Sequence, residues 1–155
     1  MYLCGHPGTG KTSTLHLVLS QVKANQEGNP LYTDMNVELY NAMTFRDVRK
    51  FCFRLLRDLT KSLTGNDIDE NTLNKKKLDD EDVSNKIANV LKNKPQLTKI
   101  IVIDEIDTFE AHEKAFLTLT KAILSSNTKT ILIGIANSVD LPFKKKHSAI
   151  AMRDT

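Results

Sequence analysis

Apolar positions along the chain keep two rhythms. In some stretches they recur every three or four residues, as on one face of a helix; in others they run unbroken, as in a buried strand. Leu15, Val18, Leu19 and Val22 keep the helical spacing and predict a helix that "NQEGNP", with Gly28 and Pro30, brings to an end. "LYTDMNV" then reads as a short strand. In "TFRDVRKFCFRLLRDLTKSL", Phe45, Val48, Cys52, Leu55, Leu56 and Leu59 share one face, and Thr44 and Asp47 have the spacing of a capping box with Asp in the Glu position. Another helix is predicted through Val83, Ile87, Val90 and Leu91, closed by Pro95, and one more with Phe109, Phe116, Leu119 and Ile123 inward.

"KIIVIDEID" and "TILIGIAN" are continuous apolar runs, the form taken by strands buried on both faces of a parallel sheet. Strands alternating with helices predict an α/β domain with a parallel sheet sandwiched by helices. Residues 65–82, "GNDIDENTLNKKKLDDED", are polar and nearly free of large apolar groups, and predict an exposed insertion or mobile loop. Within it Lys75, Lys76 and Lys77 are flanked by acids, which favours a solvated stretch over a DNA contact. No internal repeat is visible.

Length and composition narrow the picture without deciding it. A chain of 155 residues, 40% hydrophobic and 26% charged, fits one soluble domain with a real core. No apolar run approaches the roughly 20 residues of a membrane span, and "MYLCGHPG" lacks the basic start and apolar middle of a secretory leader. Cys4 and Cys52 are too few for a disulfide framework, so a reducing compartment is expected. Neither they nor the four histidines have zinc-site spacing. A net charge of +3 permits nucleic-acid contact but does not demand it.

The candidate chemistry begins at "GHPGTGKT", residues 5–12, which has the spacing of a phosphate-binding loop. Glycines let such a loop turn tightly and aim successive N–H groups at an anion, and the following helix adds the positive end of its dipole. Gly5, His6, Pro7, Gly8, Thr9 and Gly10 would wrap the phosphates. Lys11 would reach the β- and γ-phosphates, and Thr12 would place its hydroxyl on Mg²⁺. His6 reads as a variable filler position, Cys4 as core at the end of the strand "YLC". About ninety residues on, Asp104 and Glu105 sit where the strand in "IIVIDEID" leaves the sheet. Asp104 suits a Mg²⁺ water shell and Glu105 a general base for the attacking water, while Asp107 and Glu110 suit capping of the next helix. Asn137, at the end of "ILIGIAN", offers a neutral amide to the γ-phosphate from the same edge of the sheet.

These three signals in this order resemble an AAA+ ATPase with a RecA-like core. "GHPGTGKT", "IDEID" and "IGIANSVDLP" together resemble the initiator group, origin recognition complex subunit one and cell division control protein six. The last segment is the specific one, with Gly134, Asn137, Val139, Asp140 and Leu141 at matching positions. The resemblance covers residues 2–142 apart from 65–82. It implies ATP or ADP with Mg²⁺, roles for Lys11, Thr12, Asp104, Glu105 and Asn137 as above, and assembly on origin DNA with related subunits to load the replicative helicase. It also implies a nuclear location and no membrane. An extra helical element approaching DNA is implied after the second strand, with "NVELYNAMTF" as its candidate.

The chain departs from that pattern after Pro142. Arg153, in "AMRDT", is a poor match for an arginine finger. No fifth strand, helical lid or winged helix follows, so the expectation is a partial ATPase core, weak or silent alone, with "YLC" an exposed edge. Two alternatives stand beside the initiator reading: a clamp-loader or other AAA+ remodelling subunit, and a scaffold that holds nucleotide without turnover.

Overall fold

Two central strands organise the molecule, and their apolar runs explain why. The computed structural model describes residues 1–25, 34–68 and 78–137. Along the chain these form β1 (Tyr2–Cys4), α1 (Lys11–Ala24), β2 (Met35–Asn41), α2 (Val48–Thr64), α3 (Asp80–Leu91), β3 (Thr98–Asp104), α4 (Glu113–Ser125) and β4 (Thr130–Ala136). The strands lie parallel in the order β1-β4-β3-β2. β3 and β4 are thus the inner pair, covered on both faces, which is what an unbroken apolar strand requires.

Alternate side chains of β3 serve two cores. Val102 packs with Ile133, Ile135, Leu15 and Leu19, so α1 covers one face. Ile101 and Ile103 join Phe51, Leu55, Leu59, Ile87, Leu91, Leu119 and Ile123 on the other, beneath α2, α3 and α4. Phe51, Leu55 and Leu59 have no exposed surface. Each fully buried side chain of this kind contributes about 1.5–3 kcal/mol relative to exposure. The arrangement is a parallel sheet flanked by helices on both faces, as the alternation of strands and helices predicts.

Local chemistry sets the element ends, and several differ from the expectations above. α2 starts at Val48 because Asp47 is its N-cap, accepting a 2.8 Å bond from the Lys50 N–H. Thr44 instead ends a 3-10 turn, Ala42–Thr44. Gly65 closes α2 in a left-handed conformation, φ 77°. α3 begins at Asp80, inside the stretch expected to be a loop, because Asp79 and Asp82 form a reciprocal capping box. Residues 69–77, with Lys75, Lys76 and Lys77, lie outside the described residues, as do Gly28 and Pro30.

β2 runs through Asn36–Asn41, so most of "NVELYNAMTF" is strand, and the one 3-10 turn after it is all the helix this segment holds. Val18 is 47% exposed, off the buried stripe of α1. Phe109 is inward as expected but sits in a 3-10 segment, Ile106–His112, ahead of α4. β1 pairs only with β4 among the described residues, leaving its other edge open there.

Candidate functional site

The carboxyl ends of β1, β3 and β4 meet at one rim, and each delivers a part of the candidate site. From β1 the chain enters the glycine loop. Gly8 and Gly10 have φ of 78° and 82°, the left-handed region where a side chain is strained. At Gly8 nothing lies within 4 Å of where a Cβ would stand, so backbone sign, not space, calls for glycine. The Thr9 hydroxyl donates to the His6 carbonyl at 2.9 Å and closes the turn.

α1 then begins at Lys11, with Gly10 as N-cap, no side-chain cap and no acid in the first turn. Its opening N–H groups have no intrahelical acceptor and are left for an anion. Lys11 Nζ donates to the Gly5 carbonyl at 2.7 Å, the His6 carbonyl at 2.9 Å and Asn137 Oδ1 at 3.3 Å. Three donors thus have three acceptors.

Asn137 faces two ways: its Nδ2 donates to Glu105 Oε2 at 2.5 Å. Glu105 in turn donates its backbone N–H to Asp104 Oδ1 at 2.9 Å, and its own φ is 54°. Left-handed backbone at a bulky residue is strain held in place by its surroundings. Asp104 is 7% exposed, at the last position of β3. Lys11, Asn137, Glu105 and Asp104 therefore form one hydrogen-bonded chain along the rim.

Other expected residues fall less centrally. Thr12 is half-buried in the first turn of α1, while His6, Pro7 and Thr9 are exposed. Cys4 is exposed, not core, because β1 is at the edge of the described sheet. Asp107 does not cap α4: His112 is the N-cap, without a side-chain bond, and Asp107 Oδ1 is buried with no hydrogen-bond partner among the described residues. Burial, then the charges of Cys4 and Asp107, push the Tyr2 phenol up to about 12. Val139, Asp140, Leu141, Pro142 and Arg153 lie outside the described residues.

Gly134 was missed as a site-shaping residue. A Cβ there would stand 2.9 Å from Ile106 Cδ1 and 3.3 Å from the Tyr2 ring. Isolated glycine in an apolar strand is the sequence signal for such close approach.

The chemistry fits a nucleotide phosphate with Mg²⁺. The open helix start, the positive-φ glycines and the lysine suit an anion. No group of three or more His, Cys, Asp or Glu gathers at one point among the described residues. Mg²⁺ takes one or two protein oxygens and completes its shell with phosphate and water; the Thr12 hydroxyl and the Asp104 carboxylate are the oxygens of this rim that could supply them.

Comparison with known proteins agrees with this geometry. A family profile described as AAA domain matches residues 1–141. The chain is 28% identical over 147 residues to origin recognition complex subunit 1 of Dictyostelium discoideum, covering 92% of this chain and 22% of that protein. It is 31% identical over 142 residues to cell division control protein 18 of Schizosaccharomyces pombe, covering 91% of this chain and 22% of that protein. The chain thus spans about a fifth of these curated relatives. The Orc1 protein of Aeropyrum pernix, solved in complex with DNA, superposes with a TM-score of 0.60 at 23% identity, over 89% of this chain and 33% of that one. Drosophila ORC bound to DNA gives 0.55 at 20% identity, over 94% and 33%. At those identities the structures speak for the fold.

Proposed function

Because the chain belongs to the AAA domain family and is homologous to initiators of the origin recognition complex subunit 1 and Cdc18 type, we propose that it binds ATP with Mg²⁺ at this rim. In the assembled protein, the ATP state then governs its joining with related subunits on origin DNA in the nucleus. The observation that carries the reading is the continuous chain Lys11–Asn137–Glu105, drawn from three separate segments onto one edge of the sheet.

Each residue has a task set by its chemistry. The N–H groups of the loop and of the first turn of α1 bind and orient the phosphates. Lys11 exchanges its contact to Asn137 for the β- and γ-phosphates, and Thr12 and Asp104 hold the metal. Bound Mg²⁺ supplies charge neutralisation at the phosphate oxygens. Glu105 accepts a proton from water, and Asn137, freed from Lys11, orients the γ-phosphate without adding a repelling charge.

The test is Mg-nucleotide binding by calorimetry. Lys11→Ala removes a charge-assisted contact of about 1.5–3 kcal/mol, so affinity should fall roughly tenfold to hundredfold. Unchanged affinity in that variant sinks the reading. A second reading, a subunit that holds ATP without turnover, draws on one contact, the engagement of the Glu105 carboxylate by Asn137. Single-turnover hydrolysis by the assembled protein, with and without Glu105→Gln, separates the two.

A further inference from the structure

One peptide unit of the glycine loop has nothing to give an anion. Pro7 carries no backbone N–H, so the unit between His6 and Pro7 offers a carbonyl and no donor. Every other residue from Gly5 to Thr12 keeps its N–H, the group that a phosphate-binding turn presents. A carbonyl oxygen turned into that cradle would repel what the rest of the loop attracts. The placing of the His6 oxygen is therefore a matter of binding as well as of local geometry.

Two side chains hold that oxygen. The Thr9 hydroxyl donates to it at 2.9 Å, and Lys11 Nζ donates to it at 2.9 Å. A carbonyl has two lone pairs, so both are taken. Thr9 and Lys11 converge over Gly5, where a Cβ would stand 3.7 Å from Thr9 Oγ1 and 3.8 Å from Lys11 Cδ. Lys11 also reaches the Gly5 carbonyl at 2.7 Å and Asn137 Oδ1 at 3.3 Å. Thr9 thus stands at the outer end of the row that runs through His6, Lys11 and Asn137 to Glu105.

We propose that Thr9 is a positioning residue, whose hydroxyl ties down the His6 carbonyl and thereby sets where the Lys11 ammonium rests before nucleotide binds. The proposal rests on the phosphate reading of the rim and gives the Thr9 side chain a part there beside its backbone N–H. Lys11 is the group that must turn towards phosphate, so the hydroxyl is the donor to His6 with no second task. It carries no charge and acts on the start of the loop rather than on the γ-phosphate. Its loss should therefore weigh alike on ATP and ADP, which share the β-phosphate. A hydroxyl that only closed the turn would change stability and leave the lysine and the nucleotide as they were.

The test compares Thr9→Val, which keeps the shape without the hydroxyl, with Thr9→Ser, which keeps the hydroxyl. An ammonium held by three acceptors exchanges its protons slowly and gives a signal in a nitrogen–proton correlation spectrum of the nucleotide-free protein, assigned by its loss in Lys11→Ala. Thr9→Val should broaden or erase that signal, and Thr9→Ser should keep it. Calorimetry should show Mg-ATP and Mg-ADP both weakened about threefold to tenfold in Thr9→Val, the loss of one neutral hydrogen bond, with most of it recovered in Thr9→Ser. No ammonium signal in the parent, an unchanged signal in Thr9→Val, or a loss as large in Thr9→Ser overturns the proposal. So does a parent that binds nucleotide beside a Thr9→Val that binds it equally well, which would leave Thr9 a turn residue alone. A parent that binds neither nucleotide overturns the phosphate reading of the rim and this proposal with it, so the parent tells the two failures apart.

Discussion

Lys11 Nζ lies 3.3 Å from Asn137 Oδ1, although 126 positions separate them in the chain. The same amide turns its nitrogen to Glu105 Oε2. Only a side chain with an acceptor on one side and a donor on the other can stand between an ammonium and a carboxylate and satisfy both. The asparagine thus links the loop that would grip phosphate to the carboxylate that would activate water.

That position makes two replacements informative. Asn137→Asp keeps the acceptor for Lys11 but sets a second negative charge against Glu105 and against any γ-phosphate. Asn137→Ala removes both bonds and adds no charge. ATP affinity should fall in the order parent, alanine, aspartate, with ADP much less affected. Losses of about tenfold or more are expected for the aspartate, from one charged contact of roughly 1.5–3 kcal/mol. Calorimetry with both nucleotides checks this, and equal losses for ATP and ADP would place Asn137 away from the γ-phosphate.

Glu105 gives a test of backbone strain that is separate from its carboxylate. At φ 54° it occupies a region that costs an L-residue about 1–2 kcal/mol, a cost glycine does not carry. Glu105→Gly and Glu105→Ala both delete the carboxylate, so their difference reports the backbone alone. The glycine variant should be the more stable by about 1 kcal/mol in urea unfolding. Equal stability would mean the turn relaxes once the carboxylate is gone.

Much of the fold was legible because its signals are collective. The inner strands showed as unbroken apolar runs and α2 as a stripe of Val48, Cys52, Leu55, Leu56 and Leu59, patterns that many residues repeat. The residues of the rim were legible for another reason: glycine spacing and acids at a strand end are rare unless chemistry requires them. What was not legible depended on single contacts. The start of α3 was decided by two aspartates in an acidic run that reads as solvated loop. Asp47 rather than Thr44 capped α2, and Cys4 lay exposed because exposure depends on strand order, which periodicity does not carry.

Gly134 should show its coupling to the acidic turn in a double-mutant cycle. In Gly134→Ala the new methyl meets Ile106 Cδ1 at 2.9 Å, beside the Glu105 turn. Overpacking of this kind costs about 1–3 kcal/mol. Ile106→Val deletes the obstructing carbon, so the double variant should be more stable than the sum of the single effects by over about 0.5 kcal/mol. Additive effects in urea unfolding would show that the Tyr2 ring, 3.3 Å away, is the real obstacle.

Glu38 should make stability depend on pH in a way that one substitution removes. Burial first, and then the charge of Asp58, raise its pKa above the ordinary 4.5, against bonds from Ser62 and Asn36 and the charge of Lys23. A carboxyl whose folded pKa is raised favours the folded state when protonated. That contribution is full below the unfolded value and is lost as pH rises through the folded one. Above the folded value the folded protein holds a half-buried charge that the unfolded chain solvates more freely. Glu38→Gln keeps the shape and an oxygen acceptor without the charge. The stability of the variant relative to the parent should increase as pH rises from the ordinary carboxylate value through the raised folded one. Urea midpoints at each pH measure it, and a difference that stays flat across the range would show that Glu38 is ionised as readily in the fold as outside it.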